Sequence, residues 1–200
     1  MTNQPKVPKT ARERGRVAPA HLAHFVRKTS RFGEMVEWYQ RVLEAEIAYS
    51  NEMLAFLTYD DEHHRVAIIA IPGLVEPPPN AWGTDHIAFT YASLDDLLHT
   101  YKRLKKNGIE PYWAINHGPT TSLYYKDPDG NSIETQIDNF ATVQEADAWL
   151  RGGEFEENSI GVIFDVDELV ARHEAGVPFS ELVERPGLPE GKTPFDMLRF

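Results

Sequence analysis

The stretch DHIAFTYASLDDLLHTYKRLKKNG, residues 85–108, carries the pattern that decides the fold. Residues 85–92 alternate so that Ile87, Phe89 and Tyr91 share one face, as in a half-buried strand. Residues 93–108 predict a helix, since Ser93 and Asp96 form a capping box and Gly108 closes it. The runs IEPYWAIN, SLYYKD and NSIETQI follow as strands, the last two joined by a DPDGN turn. The predicted order is one strand, one helix and three strands.

The same order occurs earlier in the chain. LAHFVRK (22–28) predicts a strand, and SRFGEMVEWYQRVLEA (30–45) predicts a helix capped by Ser30. IAYSNEMLAFLTYD and HRVAIIAI then predict two or three strands. His24 and His86 open the two units, about 60 residues apart, which indicates an internal repeat. Because each unit is too small to cover its own sheet, we expect an α+β fold: two paired βαβββ modules forming one curved, partly closed sheet around a pocket, with helices outside.

The organisation of the chain predicts one globular domain with additions. With 200 residues and 42% hydrophobic content, the chain is long enough for one substantial core. We expect a flexible arm at 1–19, a paired-module domain at 20–140, and a helical and irregular extension at 141–200. The arm is rich in Lys and Arg; an organellar presequence is the alternative, but early prolines and missing apolar periodicity favour a tail. The extension would cover the core or form the contact of a homodimer.

The composition excludes several kinds of partner and site. A formal net charge of −11 disfavours nucleic acid and anionic membranes. Without cysteine there are no disulfides, thiolate metal sites or iron–sulfur clusters, so any metal must use His, Asp or Glu. No apolar stretch approaches the roughly 18 to 20 residues of a membrane span, and the first residues lack the apolar core typical of a secretory signal, so we expect neither. We expect a cytoplasmic protein that binds a small, uncharged molecule.

Polar side chains occur on strands where apolar packing would be expected. In NSIETQI, Glu134 points away from the face shared by Ile133 and Ile137. His86 likewise points away from the predicted core face, and His24 occupies the equivalent place in the first unit. Two histidines and one carboxylate are the composition of a facial triad, which holds divalent iron and leaves positions open. Ordinary core histidines and an edge-strand glutamate are the alternative, which does not explain their relation by the repeat.

Three segments, LAHFV, DHIAF and YYKDPDGNSIE, resemble the metal-bearing segments of the vicinal oxygen chelate superfamily. Residues 20–140 fit its paired βαβββ modules, and the chain is most similar to one-domain extradiol ring-cleaving dioxygenases. The resemblance implies that His24, His86 and Glu134 hold Fe(II), with Mn(II) also compatible, and that no organic cofactor takes part. It also implies that the substrates are a catechol-type diol and dioxygen.

A fourth acidic ligand would indicate the glyoxalase branch of the superfamily instead. Such an acid comes from the place in the first unit that corresponds to Glu134. Applying the spacing between His86 and Glu134 to the first unit puts that place at residues 69–73, in AIIAIPG, where no acid occurs. We therefore expect a three-ligand site.

The resemblance implies three further site residues. DEHHRVAI (61–68) is similar to a strand of the family whose second histidine, His64 here, moves a proton to and from the substrate. His117 and Tyr124 would bind the substrate hydroxyls and an oxygen-derived intermediate, roles that suit a group titrating near neutrality and a phenolic donor. The chain departs from the family in a longer loop between His64 and His86. It also places His117 two residues closer to Glu134.

These observations predict an iron(II)-dependent extradiol dioxygenase acting on an aromatic diol. Two alternatives stay open at this stage. A metal-dependent isomerase or epimerase of the same superfamily would use the same metal face without dioxygen, and a metal-free binding protein would keep only the cleft.

Overall fold

The computed structural model of the 200-residue chain describes residues 19–78 and 81–199, together with Glu13 and Gly15. The predicted basic arm, 1–19, lies outside the described residues apart from positions 13, 15 and 19. Within the described ranges, no helix has both the length and the apolar character needed to cross a membrane.

The first module contains one strand, one helix and three further strands. These are β1 (Phe25–Thr29), α1 (Phe32–Leu43), β2 (Glu46–Ser50), β3 (Leu54–Thr58) and β4 (Val66–Ala70). The sheet order is β1-β4-β3-β2, with β1 parallel to β4. Helix α1 buries Met35, Val36, Tyr39, Val42 and Leu43 on one face of this sheet, as its 3.6-residue periodicity predicts. Its N-cap is Arg31 rather than the predicted Ser30, and no side chain caps it, because the chain turns into the helix one residue later.

The second module repeats this order. It consists of β5 (His86–Thr90), α2 (Leu94–Lys106), β6 (Trp113–Asn116), β7 (Thr120–Lys126) and β8 (Ser132–Asp138). Ser93 caps α2 by accepting a hydrogen bond from the Asp96 amide, and Gly108 follows the helix at a φ of +74°. Strand β5 runs parallel to β8, as β1 does to β4, so the predicted pair of βαβββ modules is confirmed.

The two modules share a core but not a hydrogen-bonded sheet. One buried cluster contains residues of α1, α2 and both sheets, and Phe25 of β1 lies 6.0 Å from Phe89 of β5 between ring centroids. The hydrogen-bonded strands form two open sheets of four and five strands instead of one ladder. Side-chain packing, not backbone pairing, therefore joins the modules.

The extension packs onto the second module. It contains α3 (Val143–Leu150), α4 (Glu154–Glu157), β9 (Val162–Ile163), α5 (Val166–Glu174), α6 (Phe179–Leu182) and a 3-10 turn at Pro194–Met197. The capping box of Thr142 and Glu145 at α3 is present as predicted. Strand β9 had no sequence signal. It pairs antiparallel with β6 and so covers the edge of β6 that the module's other strands leave free. Val166, Leu169, Leu182 and Val183 enter the shared core.

Candidate active site

The register of the second sheet brings the predicted site residues onto one face. Glu134 of β8 pairs with Ala88 on one side and with Tyr124 of β7 on the other. Trp113 of β6 in turn lies opposite Tyr124. Since alternate residues of a strand share a face, His86, Tyr124 and Glu134 all lie on the surface turned away from α2, called here the site face.

His86 and Glu134 form the closest pair of the site. His86 Nε2 lies 3.0 Å from Glu134 Oε2, and the Glu134 side chain is almost completely buried. The other ring nitrogen of His86, Nδ1, lies 2.6 Å from the carboxylate of Asp85. A carboxylate at Nδ1 fixes the ring orientation and directs Nε2 into the site. Asp85 is a site residue that the strand pattern did not single out.

Tyr124 and His117 continue this arrangement of polar groups. The Tyr124 hydroxyl lies 3.0 Å from His117 Nε2, and the Glu134 carboxylate is close enough to raise the pKa of this hydroxyl. His117 Nδ1 donates to the backbone carbonyl of Ile160, because a carbonyl can only accept. The predicted residues His86, Glu134, Tyr124 and His117 therefore form one connected group on the site face.

Burial changes the acidity of two of these groups. Loss of hydration lowers the pKa of His117, against the opposing effect of its bond to the Ile160 carbonyl and of the Glu134 charge. Burial, reinforced by the neighbouring Glu134 charge, strongly raises the pKa of the Tyr124 hydroxyl. Tyr124 is consequently a hydroxyl donor across the whole neutral range.

The extension encloses the site face with apolar side chains. Val162 and Met197 pack with Ile115 and Tyr124 in a second buried cluster, next to Trp113 and Tyr112. The Trp113 ring lies against Tyr124 with 4.6 Å between centroids, and the Tyr112 hydroxyl is 2.7 Å from Ser132 Oγ. The contributions of Ile160, Val162 and Met197 to this enclosure had no signal in the sequence.

The first module supplies a separate group of histidines. The ring centroids of His24 and His64 are 4.4 Å apart, and Phe56 stacks on His64 at 4.2 Å. His24 is exposed and borders an open groove with Ile87, Ala88 and Phe89 of β5, the strand that His86 begins. The His64 side chain is buried, and loss of hydration together with the adjacent histidines lowers its pKa.

The chain was compared with known proteins. Residues 21–135 match the family described as the Glyoxalase/Bleomycin resistance protein/Dioxygenase superfamily. The chain belongs to this superfamily. Two relatives from Rhodococcus globerulus, Biphenyl-2,3-diol 1,2-dioxygenase 2 and Biphenyl-2,3-diol 1,2-dioxygenase 3, are each 48% identical over 82% of this chain and 87% of the relative. A glyoxylase/bleomycin resistance protein/dioxygenase domain from Frankia sp. EAN1pec has the same fold, with a TM-score of 0.52, 16% identity, and coverage of 64% of this chain and 99% of that chain.

The strand register corrects one position in this superfamily member. Ala88 pairs with Glu134 in the second module, and Val26, which follows His24 as Ala88 follows His86, pairs with Ala67. The counterpart of Glu134 is therefore Ala67, outside the expected range 69–73. Ala67 follows His24 by 43 residues and Glu134 follows His86 by 48, so a constant sequence offset overshoots. Ala67 is no acid either.

The donor types of this superfamily member fit a divalent metal. Two imidazoles and a carboxylate suit iron and manganese, and His86 with Glu134 already places one nitrogen and one oxygen side by side. His24, the third predicted ligand, packs with His64 instead of this pair. Among the residues that the structure describes, no three His, Asp or Glu side chains form a group that could hold a metal ion.

Proposed function

We infer that this protein is an extradiol dioxygenase, which uses dioxygen to open an aromatic ring beside two neighbouring hydroxyl groups. The observation that carries this inference is the 48% identity, over 82% of the chain, to two biphenyl-2,3-diol 1,2-dioxygenases. In those names the hydroxyls are on carbons 2 and 3 and oxygen enters at carbons 1 and 2. The bond that opens therefore lies next to the diol and not between its hydroxyls.

The proposed metal ligands are His24, His86 and Glu134, and the proposed metal is Fe(II), with Mn(II) compatible. Such a centre supplies a common attachment point for the diol and dioxygen and a path for charge between them. Asp85 orients His86 through Nδ1, and Tyr124 lies beside Glu134 in the β7–β8 ladder. This assignment requires that His24, in the first module, reaches the His86–Glu134 pair in the second. The groove that His24 lines together with β5 lies between them.

The protein's own residues bind and orient the diol and move its protons. Tyr124 and His117 present a hydroxyl and an imidazole from the site face toward the oxygens of the substrate. His64 accepts a proton from the diol and later returns it, since its lowered pKa keeps the ring neutral near pH 7. Trp113, Tyr112 and the extension exclude water from the site face.

Anaerobic reconstitution tests this function. The purified protein is loaded with Fe(II) or Mn(II) and mixed with air-saturated buffer and a panel containing catechol and biphenyl-2,3-diol. We expect oxygen consumption and a yellow ring-opened product, and metal analysis should give about one ion per chain.

Three variants and one matched control complete the test. His24→Ala, His86→Ala and Glu134→Ala should weaken metal binding strongly and abolish ring cleavage. His99→Ala, which changes an exposed histidine of α2, should retain both. Metal binding without oxygen consumption for any diol would contradict the dioxygenase, and undiminished metal binding by His24→Ala would contradict the ligand assignment.

A further inference from the structure

One side chain of the first module holds the segment that carries His24. Arg65 lies just before β4, and its Nη1 donates to the backbone carbonyls of Leu22, at 2.8 Å, and Ala23, at 3.0 Å. These two residues directly precede His24. The guanidinium therefore fixes the chain on the N-terminal side of the histidine.

The backbone of Arg65 holds the other side of the same histidine. The amide of Phe25, the residue after His24, donates to the Arg65 carbonyl at 3.1 Å. Strand β1 begins only at Phe25, so the β1–β4 ladder does not include residues 22–24. The contacts of Arg65 therefore bracket His24 at the point where the β1–β4 pairing begins.

Asp60 holds the Arg65 side chain in place. Arg65 Nε lies 3.1 Å and 3.0 Å from the two carboxylate oxygens of Asp60, and Arg65 Nη2 lies 2.9 Å from one of them. A planar guanidinium can bind a carboxylate with one edge and carbonyls with the other, whereas a lysine ammonium is a point charge without this geometry. The arrangement therefore makes specific use of arginine.

We propose that Arg65 is a positioning residue for the metal site. It fixes the position of the His24 backbone. Because His64 directly precedes Arg65 in the sequence, Arg65 also fixes how the His64 ring packs on the His24 ring. This inference rests on the proposed function, in which His24 is a metal ligand. Arg65 itself touches neither metal nor substrate. Losing it would leave residues 22–24 without their anchor while the β1–β4 ladder persists.

Metal affinity tests the proposal without relying on turnover. Mn²⁺ is titrated into the full-length chain, and free Mn²⁺ is followed by its electron paramagnetic resonance signal. We expect Arg65→Gln to weaken Mn²⁺ binding by about 10- to 100-fold, the usual effect of losing an outer partner of a metal site. Arg65→Lys should restore only part of it. Arg151→Gln, which breaks a similar two-bonded pair with Asp147 on α3, should bind Mn²⁺ as the wild type does.

The double variant decides whether Arg65 acts through His24. If it does, Arg65→Gln should cause no further loss of Mn²⁺ affinity in a His24→Ala background. Asp60→Asn keeps the arginine but weakens its ion pair, so it should lower Mn²⁺ affinity less than Arg65→Gln does. It too should cause no further loss of affinity in a His24→Ala background. If thermal unfolding shows that Arg65→Gln does not fold, the Asp60→Asn variant takes its place in the test.

Each contrary result has a distinct meaning. Wild-type affinity in Arg65→Gln, with reduced affinity in His24→Ala, would overturn the positioning role and leave the proposed ligands standing. Additive losses in the double variant would overturn action through His24. Wild-type affinity in His24→Ala would overturn the ligand assignment and this inference with it.

Discussion

At the scale of single residues, Tyr124 connects most of the site. Its hydroxyl contacts His117, and it pairs with Glu134 across the strands. Its ring meets the His86 ring edge-on with 5.2 Å between centroids, and the Trp113 ring lies 4.6 Å away. The side chain is almost fully buried, on a face that carries both polar groups and the apolar side chains of the second buried cluster. Its position, opposite Glu134 in the β7–β8 ladder and bonded to His117, makes it the residue between the His86–Glu134 pair and His117.

Tyr124→Phe removes the hydroxyl and keeps the ring. We expect kcat to fall by about 10²- to 10³-fold, the effect typical of losing one donor to developing negative charge. Metal content should remain that of the wild type, because His86 and Glu134 keep their contact. Steady-state kinetics with oxygen uptake and metal analysis check both.

Tyr112→Phe is the matched control for this prediction. Its hydroxyl bonds Ser132 and not His86, Glu134 or His117. A loss in Tyr112→Phe as large as that in Tyr124→Phe would show that the hydroxyl of Tyr124 has no special role.

At the scale of elements, the turn before β9 places His117. Asn158 accepts hydrogen bonds from the amides of Ile160 and Gly161, and this turn presents the Ile160 carbonyl to the His117 ring. Arg185 holds the same turn by donating to the carbonyl of Asn158. The extension is therefore part of the site and not a separable covering.

Gly161→Ala should disturb this element in particular. Gly161 has a φ of +121°, and a Cβ there would lie 2.4 Å from the Asn116 carbonyl oxygen and 2.9 Å from the His117 Cα. Since backbone atoms cannot move aside cheaply, we expect destabilisation by about 1–3 kcal/mol or more and a clear loss of kcat. Urea unfolding and steady-state kinetics measure the two effects.

Gly187→Ala is the control, because a Cβ at Gly187 meets no atom within 4 Å. It should leave stability and kcat near wild-type values. If Gly161→Ala behaved like this control, the close contact between the turn and the His117 strand would be wrong.

A second contact between elements predicts a pH dependence. Asp167 of α5 bonds Lys105 and the Tyr101 hydroxyl of α2, and these partners hold the pKa of its carboxyl below the ordinary value. A carboxyl whose pKa is lower in the folded state than in the unfolded state stabilises the fold at every pH above its unfolded-state pKa of about 4. This stabilisation is lost as the pH falls from about 4 through the folded-state pKa. Asp167→Asn should therefore lower the Tm at pH 7.

The difference in Tm between wild type and Asp167→Asn should shrink as the pH is lowered below about 4. Thermal unfolding followed by circular dichroism at several pH values measures it. A difference in Tm that stayed constant with pH would contradict the role of the ionised carboxylate.

At the scale of the whole molecule, a shared core and one buried polar contact join the modules. The hydroxyl of Tyr39 in α1 donates to Asp127 in the turn between β7 and β8, at 3.0 Å, and accepts from Arg27 at the same distance. Asn131 satisfies the remaining positions of the Asp127 carboxylate. The DPDGN turn is therefore a junction between modules as well as a connection of two strands. The homodimer expected from the sequence stays a prediction.

Tyr39→Phe should destabilise this junction. The variant removes the hydroxyl that bonds the buried Asp127 carboxylate and the Arg27 side chain. Leaving a buried polar group without its partner lowers the free energy of unfolding by about 1–3 kcal/mol. Urea unfolding gives the free energy, and Tyr49→Phe, a change at a tyrosine that is 52% exposed, should stay within about 0.5 kcal/mol of wild type. Equal stabilities of the two variants would contradict a structural role for the Tyr39–Asp127 bond.

The sequence by itself determined the elements of the two modules, the repeat, and the sides of β5 and β8 on which the polar residues lie. Superfamily membership, expected from LAHFV, DHIAF and the DPDGN segment, is confirmed. Alternation placed Glu134 opposite Ile133 and Ile137, and the structure has it so, with both isoleucines buried in the core. These features could be predicted because strand alternation, helix periodicity and capping depend on residues a few positions apart.

Only the tertiary structure decided which distant groups meet. Loop lengths and packing between remote segments decide that Ala67 is the counterpart of Glu134 and that the Ile160 carbonyl meets His117. They also bring the Arg65 guanidinium to the backbone carbonyls before His24. Backbone carbonyls are the same in every residue, so no sequence pattern marks them. The separation of the modules into two sheets has the same origin, because side-chain packing between β1 and β5 has no periodic signature in either strand.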